Sequence, residues 1–224
     1  LQKAGISCGM FTSPHLVSMR ERFAINGDIV SEADFLDAFR TVMREVKRLA
    51  TPYHPTFFEL LFFMGMILFE KCGVEYVVLE TGLGGRLDAT NVVEEKRLCV
   101  LTSIGYDHME YLGETLSQIA REKAGILRPG VPVVYPEGQE EAVRAIEEYA
   151  KEIGAKIFPV EKAAIKEINI RHKTIDFSLH LHYYDYIGFT VSMPALYQTE
   201  NAALAVLALT RLADGRFTMP VIQA

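Results

Sequence analysis

Four short runs constrain the fold more than anything else in the chain: EYVVLETG, LCVLTSIG, VPVVYP and AKIFPV. The first two are apolar almost throughout instead of alternating, which is the pattern of strands buried on both faces of a parallel sheet, and the other two read as further strands. Helical stretches lie between them. SEADFLDAFRTVMREVKRLA puts Phe35, Phe39, Val42, Val46 and Leu49 on one helical face, with Ser31 and Asp34 as a capping pair. FFELLFFMGMILFEKCG is apolar nearly all round and reads as a buried helix stopped by Gly73. GETLSQIAREKAGILRPG is expected to be helical as far as Arg128, and QEEAVRAIEEYAKEIG is expected to be a further helix. Strands alternating with helices predict an α/β fold, a doubly wound and mostly parallel sheet. From AIKEINI to FTVSMP the pattern changes to a period of two, so a small antiparallel β region is expected at about residues 155–195. TENAALAVLALTRLADG then returns to helix.

The bulk properties set limits on function. The chain has 224 residues, half of them hydrophobic, with a formal net charge of -6. That suits one large domain with a sizeable core. No dense Lys/Arg stripe argues for a nucleic-acid surface. The most apolar run is broken by Glu59 and Glu70 and is shorter than the ~20 residues of a membrane span. Cys8, Cys72 and Cys99 are far apart with no CxxC pair, so neither a disulfide framework nor a zinc site is expected, and a reducing cytoplasm is the default. The start, LQKAG, reads as the last turn of a helix, and the end begins a helix and stops. Residues 1–224 are therefore expected to be one domain cut at both ends.

In an open parallel sheet, ligands bind beyond the carboxyl ends of the strands. The polar residues expected there are Ser13 and His15 after SCGMFTS, then Glu80, Arg86 and Asp88 after YVVL. Asp107 and His108 follow CVLTS, and Arg121, Glu122 and Lys123 lie on the next helix. A hydroxyl, a carboxylate, an imidazole and an amine at one sheet edge point to a metal and phosphate site. Glu80 weighs most, because a carboxylate that ends a buried strand needs a partner or a metal.

The loop ETGLGGRLDATN raises the question of a phosphate cradle. A loop of the GxxxxGK[ST] type needs a lysine for the phosphates and a hydroxyl for Mg²⁺. Neither Gly-Lys-Ser nor Gly-Lys-Thr occurs in the chain, and GxGxxG is not completed either, since Arg86 is followed by Leu87 and Asp88 with no glycine. The loop is not expected to be the main phosphate cradle.

FTSPHL, ETGLGGRLDATN, TSIGYDHMEYLG and REKAGI, in this order, resemble the ATPase domain of folylpolyglutamate and dihydrofolate synthases, a family of Mur-ligase type. The resemblance runs from Phe11 to the region of Asn201. It implies a longer parent protein, with a phosphate loop upstream of TSPHL and a smaller C-terminal domain downstream, and hence a fragment inactive on its own.

The same resemblance implies roles for particular residues. Ser13 and Glu80 would hold one Mg²⁺, and His108 would serve a second metal position. Lys123 would be carboxylated by CO₂ to an anionic carbamate that supports the metal. His108 and Lys123 are thus the catalytic candidates. Thr56, Phe58, Arg86 and Asp88 would bind the substrate, with Phe58 stacking on a pterin and Asp88 making polar contacts to its ring. Asn201 would lie near ATP, although Ala195 and Tyr197 stand where the family often has Gly and His. Mg²⁺ prefers hard oxygen ligands, and the imidazole leaves room for Mn²⁺. The implied partners are ATP, L-glutamate, and folate or dihydropteroate, with no nucleic acid, no membrane and a monomeric parent. Whether dihydropteroate addition, polyglutamate extension or both occur stays open. Another Mur-type ligase, or a non-catalytic binding module of the same fold, is the alternative.

Overall fold

The computed structural model describes residues 1–181, 184–212 and 214–223. His182 and Tyr183, inside the alternating stretch, and Ala213 and Ala224, in the two C-terminal helical stretches, lie outside the described residues. The chain divides into two compact units, Leu1–Val93 and Glu94–Ala224.

The first unit contains β1 (Cys8–Phe11), β2 (Phe23–Ile25), β3 (Asp28–Ile29), α1 (Glu32–Arg48), α2 (Phe57–Cys72) and β4 (Tyr76–Leu79). Its sheet runs β3-β2-β1-β4. β1 pairs antiparallel with β2 and parallel with β4, in a register that sets Phe11 against Leu79. Two caps fix the helices. Ser31 accepts from the Asp34 amide at the start of α1, and Thr56 and Glu59 form a reciprocal capping box at the start of α2. α2 ends at Gly73, whose φ of 60° is the left-handed conformation that glycine tolerates best. The core joins Phe11 and Phe23 from the sheet to Leu61, Phe62, Met64 and Leu68 of α2. Gly9 makes the close approach possible: a Cβ there would lie 2.4 Å from the Phe69 ring.

Two expectations are corrected in this unit. The buried stripe of α1 is centred on Ala38 and Val42, with Phe35 and Val46 packed beside it, while Phe39 is 39% and Leu49 53% exposed. One step along a helix turns the side chain by ~100°, and Leu49 lies past the last helical residue, so neither reaches the core. β4 is not buried on both faces: Val77 and Val78 are 36% and 49% exposed.

The second unit opens with β5 (Cys99–Val100), α3 (Met109–Leu112), α4 (Leu116–Ala124), β6 (Pro132–Pro136), α5 (Glu140–Ile153) and β7 (Lys156–Val160). The parallel sheet runs β5-β6-β7. The antiparallel strands β8 (Ile165–Ile170), β9 (Thr174–Leu181) and β10 (Tyr184–Ser192) follow, then α6 (Tyr197–Arg211) and α7 (Met219–Gln223). β5, expected to be buried on both faces, is not, since Cys99 is buried but Val100 is 37% exposed, whereas β6 is doubly buried. Val133 and Tyr135 face one core with Leu116, Ala120 and Ile146, while Val134 faces another with Phe177, Leu179 and Leu204. α4 is shorter than expected. It stops at Ala124, and the residues to Arg128 form turns. The α/β class is as read from the sequence, with one parallel strand pair in the first unit and two in the second. Among the described residues no helix is long and apolar enough to cross a membrane.

Candidate active site

In the first unit the parallel register of β1 and β4 puts their carboxyl ends side by side. The Glu80 amide donates to Phe11 O at 2.9 Å, continuing the ladder one step. Just beyond it, the Ser13 amide donates to Glu80 Oε2 at 2.7 Å. The two residues that the sequence pairs as metal ligands are therefore neighbours. Glu80 is exposed, so its need for a partner is weaker than a buried carboxylate's would be, and the Ser13 amide meets it. Its second oxygen and the Ser13 hydroxyl remain as two hard oxygen donors, a set that suits Mg²⁺ completed by water and substrate phosphate. On donor chemistry the pair fits the metal. Among the described residues no three of His, Cys, Asp or Glu gather as metal ligands.

The glycine loop that follows β4 is organised by Asp88. Its Oδ2 accepts from the Gly82 and Leu83 amides, both at 3.0 Å. Its Oδ1 accepts from the Thr90 amide at 2.9 Å and the Thr90 hydroxyl at 2.6 Å. An ionised carboxylate offers about four lone-pair sites, and four donors occupy them. Asp88 is thus the internal clamp of its own loop, with no acceptor capacity left for a pterin ring. The signal was in the sequence, since Asp followed two residues on by a hydroxyl residue is a common side-chain-to-backbone turn.

Phe58 sits under that loop. A Cβ on Gly82 would lie 2.5 Å from Phe58 Cζ, and the Phe58 ring packs 5.7 Å from that of Phe11. The ring is half-buried and supports the loop from below. Thr56 is the N-cap of α2, its hydroxyl accepting from the Glu59 amide at 3.3 Å. The same hydroxyl also helps hold the Glu59 carboxyl below its ordinary range. Arg86 is exposed, and the Asn91 side chain donates to its carbonyl at 2.9 Å.

The segment after Ser13 carries contacts that spacing arguments missed. Glu21 accepts from the amides of Leu16, Val17 and Ser18 at 2.8, 3.1 and 2.7 Å. Those bonds, Leu16 foremost, hold its carboxyl below its usual range. Arg22 is buried, and its Nε donates to His15 Nδ1 at 2.9 Å. The S-x-x-E spacing of Ser18 and Glu21, a capping-box pattern, was the available signal.

In the second unit His108 is an exposed N-cap of α3 with φ of 50°, its Nε2 3.6 Å from Asp107 Oδ2. Lys123 is half-buried in the last turn of α4. Arg121 is held by Glu152 of α5 at 2.8 Å and lies 5.1 Å from the Tyr149 ring centre, a structural tie between two helices. Lys96 donates to Ile126 O at 2.9 Å. Burial lowers the Lys96 pKa, with the Arg128 charge adding to the effect. Asn201 is exposed on α6, its amide 3.4 Å from Gln198 Oε1.

Residues 37–209 match the family model of the Mur ligase middle domain. The chain is 37% identical over 214 residues to the dihydrofolate synthase/folylpolyglutamate synthase of Bacillus subtilis, covering 93% of this chain and 49% of that protein. It is 35% identical over 214 residues to a folylpolyglutamate synthase of Arabidopsis thaliana, covering 95% of this chain and 37% of that protein. The solved structure of Escherichia coli FolC in complex with DHPP and ADP superposes with a TM-score of 0.80 at 31% identity, covering 99% of this chain and 50% of that one. The chain spans half or less of the length of these relatives.

Proposed function

The chain belongs to the Mur ligase middle-domain family, and from that premise we propose that the protein carrying it is an ATP-dependent ligase that joins L-glutamate to the carboxylate of a folate or of dihydropteroate. The observation that carries the reading is the Ser13–Glu80 pair, fixed at 2.7 Å where two parallel strands end. Relatives of this chain are named for that activity.

In this reading an oxygen of the substrate carboxylate takes the γ-phosphoryl group of ATP, giving an acyl phosphate and ADP. The glutamate amine then attacks the acyl carbon, the C–O bond to phosphate breaks, and the amine sheds a proton as the amide forms. Ser13 Oγ and the second oxygen of Glu80 would hold a Mg²⁺ ion. When bound, the ion would neutralise charge on the phosphates as the phosphoryl group moves. The chain's own contribution is position. Asp88 and Phe58 fix the loop after β4 from within and from below, and Thr56 and Arg86 would contact the substrate. His108 and a carboxylated Lys123 would form the second ligand set, and Asn201 would face the nucleotide. Three free cysteines suit a reducing cytoplasm.

The test uses the full-length protein with ATP, Mg²⁺ and L-glutamate, and either dihydropteroate or a reduced folate, with products weighed by mass spectrometry. One glutamate gained by dihydropteroate, or further glutamates gained by folate, supports the reading and sorts the two activities. A folded protein that yields neither product refutes it.

A further inference from the structure

We propose that Glu21 and Arg22 are positioning residues for the reaction proposed above: together they hold residues 14–18 in one conformation and so keep Ser13 seated against Glu80. The inference rests on that reading only for the role of Ser13; the clamp itself is geometry.

Leu16 and Val17 are 92% and 91% exposed. A loop that turns two consecutive aliphatic side chains to water gains nothing from burial, so hydrophobic packing cannot order it. Its order comes from polar contacts, and these come from two adjacent residues. A capping box for the 3-10 turn at Met19–Arg22 requires Glu21 to accept only from Ser18, the N-cap. Glu21 also reaches Leu16 and Val17, two residues and one residue before the cap. Three successive amides converging on one carboxylate make charge-assisted bonds, stronger than neutral ones, and they keep the group ionised.

Arg22 reaches the other end of the loop. It is 8% exposed, its Nε bonds His15 at 2.9 Å, and its guanidinium carbon lies 5.7 Å from the centre of the Phe57 ring. Its carbonyl also accepts from the Thr12 amide at 3.1 Å. Thr12 is therefore held by Arg22, Ser13 by Glu80, His15 by Arg22 and residues 16–18 by Glu21. Ser13 is fixed from both sides, and the ordering entropy of the loop is met before any ligand arrives.

The experiment uses Glu21→Gln and Arg22→Lys in the full-length protein. Gln presents one carbonyl oxygen and no charge to three amides. Lys keeps the charge of Arg22 but lacks its rigid Nε–H. The first readout is amide hydrogen exchange of the ligand-free protein. Glu21→Gln is expected to speed exchange at residues 16–18 by roughly tenfold or more, the factor for about 1.4 kcal/mol, and to leave α2 unchanged. The second readout is the Mg²⁺ concentration for half-maximal ATP-dependent turnover, expected to rise several-fold in both variants with kcat at saturating Mg²⁺ held within about threefold. A role confined to folding would lower the melting temperature and the active fraction without moving the Mg²⁺ midpoint, and that result overturns the proposal. Unchanged exchange at 16–18 in Glu21→Gln overturns it as well. A wild-type protein that shows the exchange pattern but joins no glutamate refutes the proposed function and leaves the clamp standing.

Discussion

The assignment of Asp88 separates two accounts of the same residue, and replacing it decides between them. As the clamp of its loop it takes four hydrogen bonds, two from the Gly82 and Leu83 amides and two from Thr90. As a substrate contact it would take few or none of these. Asp88→Ala removes the N-cap of the 3-10 turn at Ala89–Val92, a loss of about 1 kcal/mol. It also strands the hydroxyl of Thr90, a residue only 5% exposed, at about 1–3 kcal/mol for an unsatisfied buried donor. The Gly82 and Leu83 amides lie at the surface, where water replaces the lost partner at little net cost. The sum is roughly 2–4 kcal/mol, and for a chain of this size each kcal/mol lowers the melting temperature by about 2–4 °C.

Calorimetry on the chain should therefore show Asp88→Ala melting roughly 5–15 °C below the parent. Asp88→Asn is the informative companion. Its carbonyl oxygen can stay on Thr90 and preserve the cap, while its NH₂ faces the Gly82 and Leu83 amides donor to donor. It should lose less stability, on the order of 1 kcal/mol, yet free the glycine loop, seen as faster amide exchange at Gly82 and Leu83 and, in the full-length protein, weaker binding of the proposed pterin substrate. If Asp88→Ala melts within about 1 °C of the parent while substrate binding collapses, the clamp reasoning is wrong and Asp88 contacts the ligand directly.

Two further outcomes follow from the same unit. Gly82→Ala drives a Cβ to within 2.5 Å of the half-buried Phe58 ring, so the ring or the loop must shift at about 1–3 kcal/mol; Phe58→Leu in the same chain should recover part of the loss in melting temperature. Glu59 is held below its ordinary carboxyl value of 4.5 by the Thr56 amide first and the Thr56 hydroxyl next. A depressed folded value stabilises above the unfolded pKa and is lost as pH falls through the folded one. Glu59→Gln should thus be less stable than the parent at neutral pH, the gap closing under acid well below 4.5, and a gap constant across that range in acid titrations would contradict this.

How much of this was legible in the sequence differs by residue, for physical reasons. Caps were readable because a cap is a contact over three residues. Ser31 with Asp34 bonds as its spacing implies, and Gly73 stops α2 in the left-handed conformation. Ser13 beside Glu80 was readable at one remove, because apolar runs that end in polar residues place those residues at one edge of a parallel sheet. Burial was legible only where a strand is central. The apolar run of β6 is covered on both faces, whereas the equally apolar β4 leaves Val78 49% exposed. An apolar run records what a strand can bury, not what covers it.

The polar residues divide on a different line. Thr56, Phe58 and Asp88 were expected as ligand contacts on the strength of the family resemblance, and in the structure all three take part in holding that region together. Glu21 and Arg22, which the sequence reading passed over, reach back across the loop beside Ser13. A sequence reports that a charge is present near a site but not which way it faces. Facing inward, a carboxylate spends its lone pairs on backbone amides and sets geometry; facing outward, it keeps them for a metal. Glu80 does one of each, with Oε2 on the Ser13 amide and its other oxygen left over, which makes it the residue on which shape and chemistry of the first unit meet.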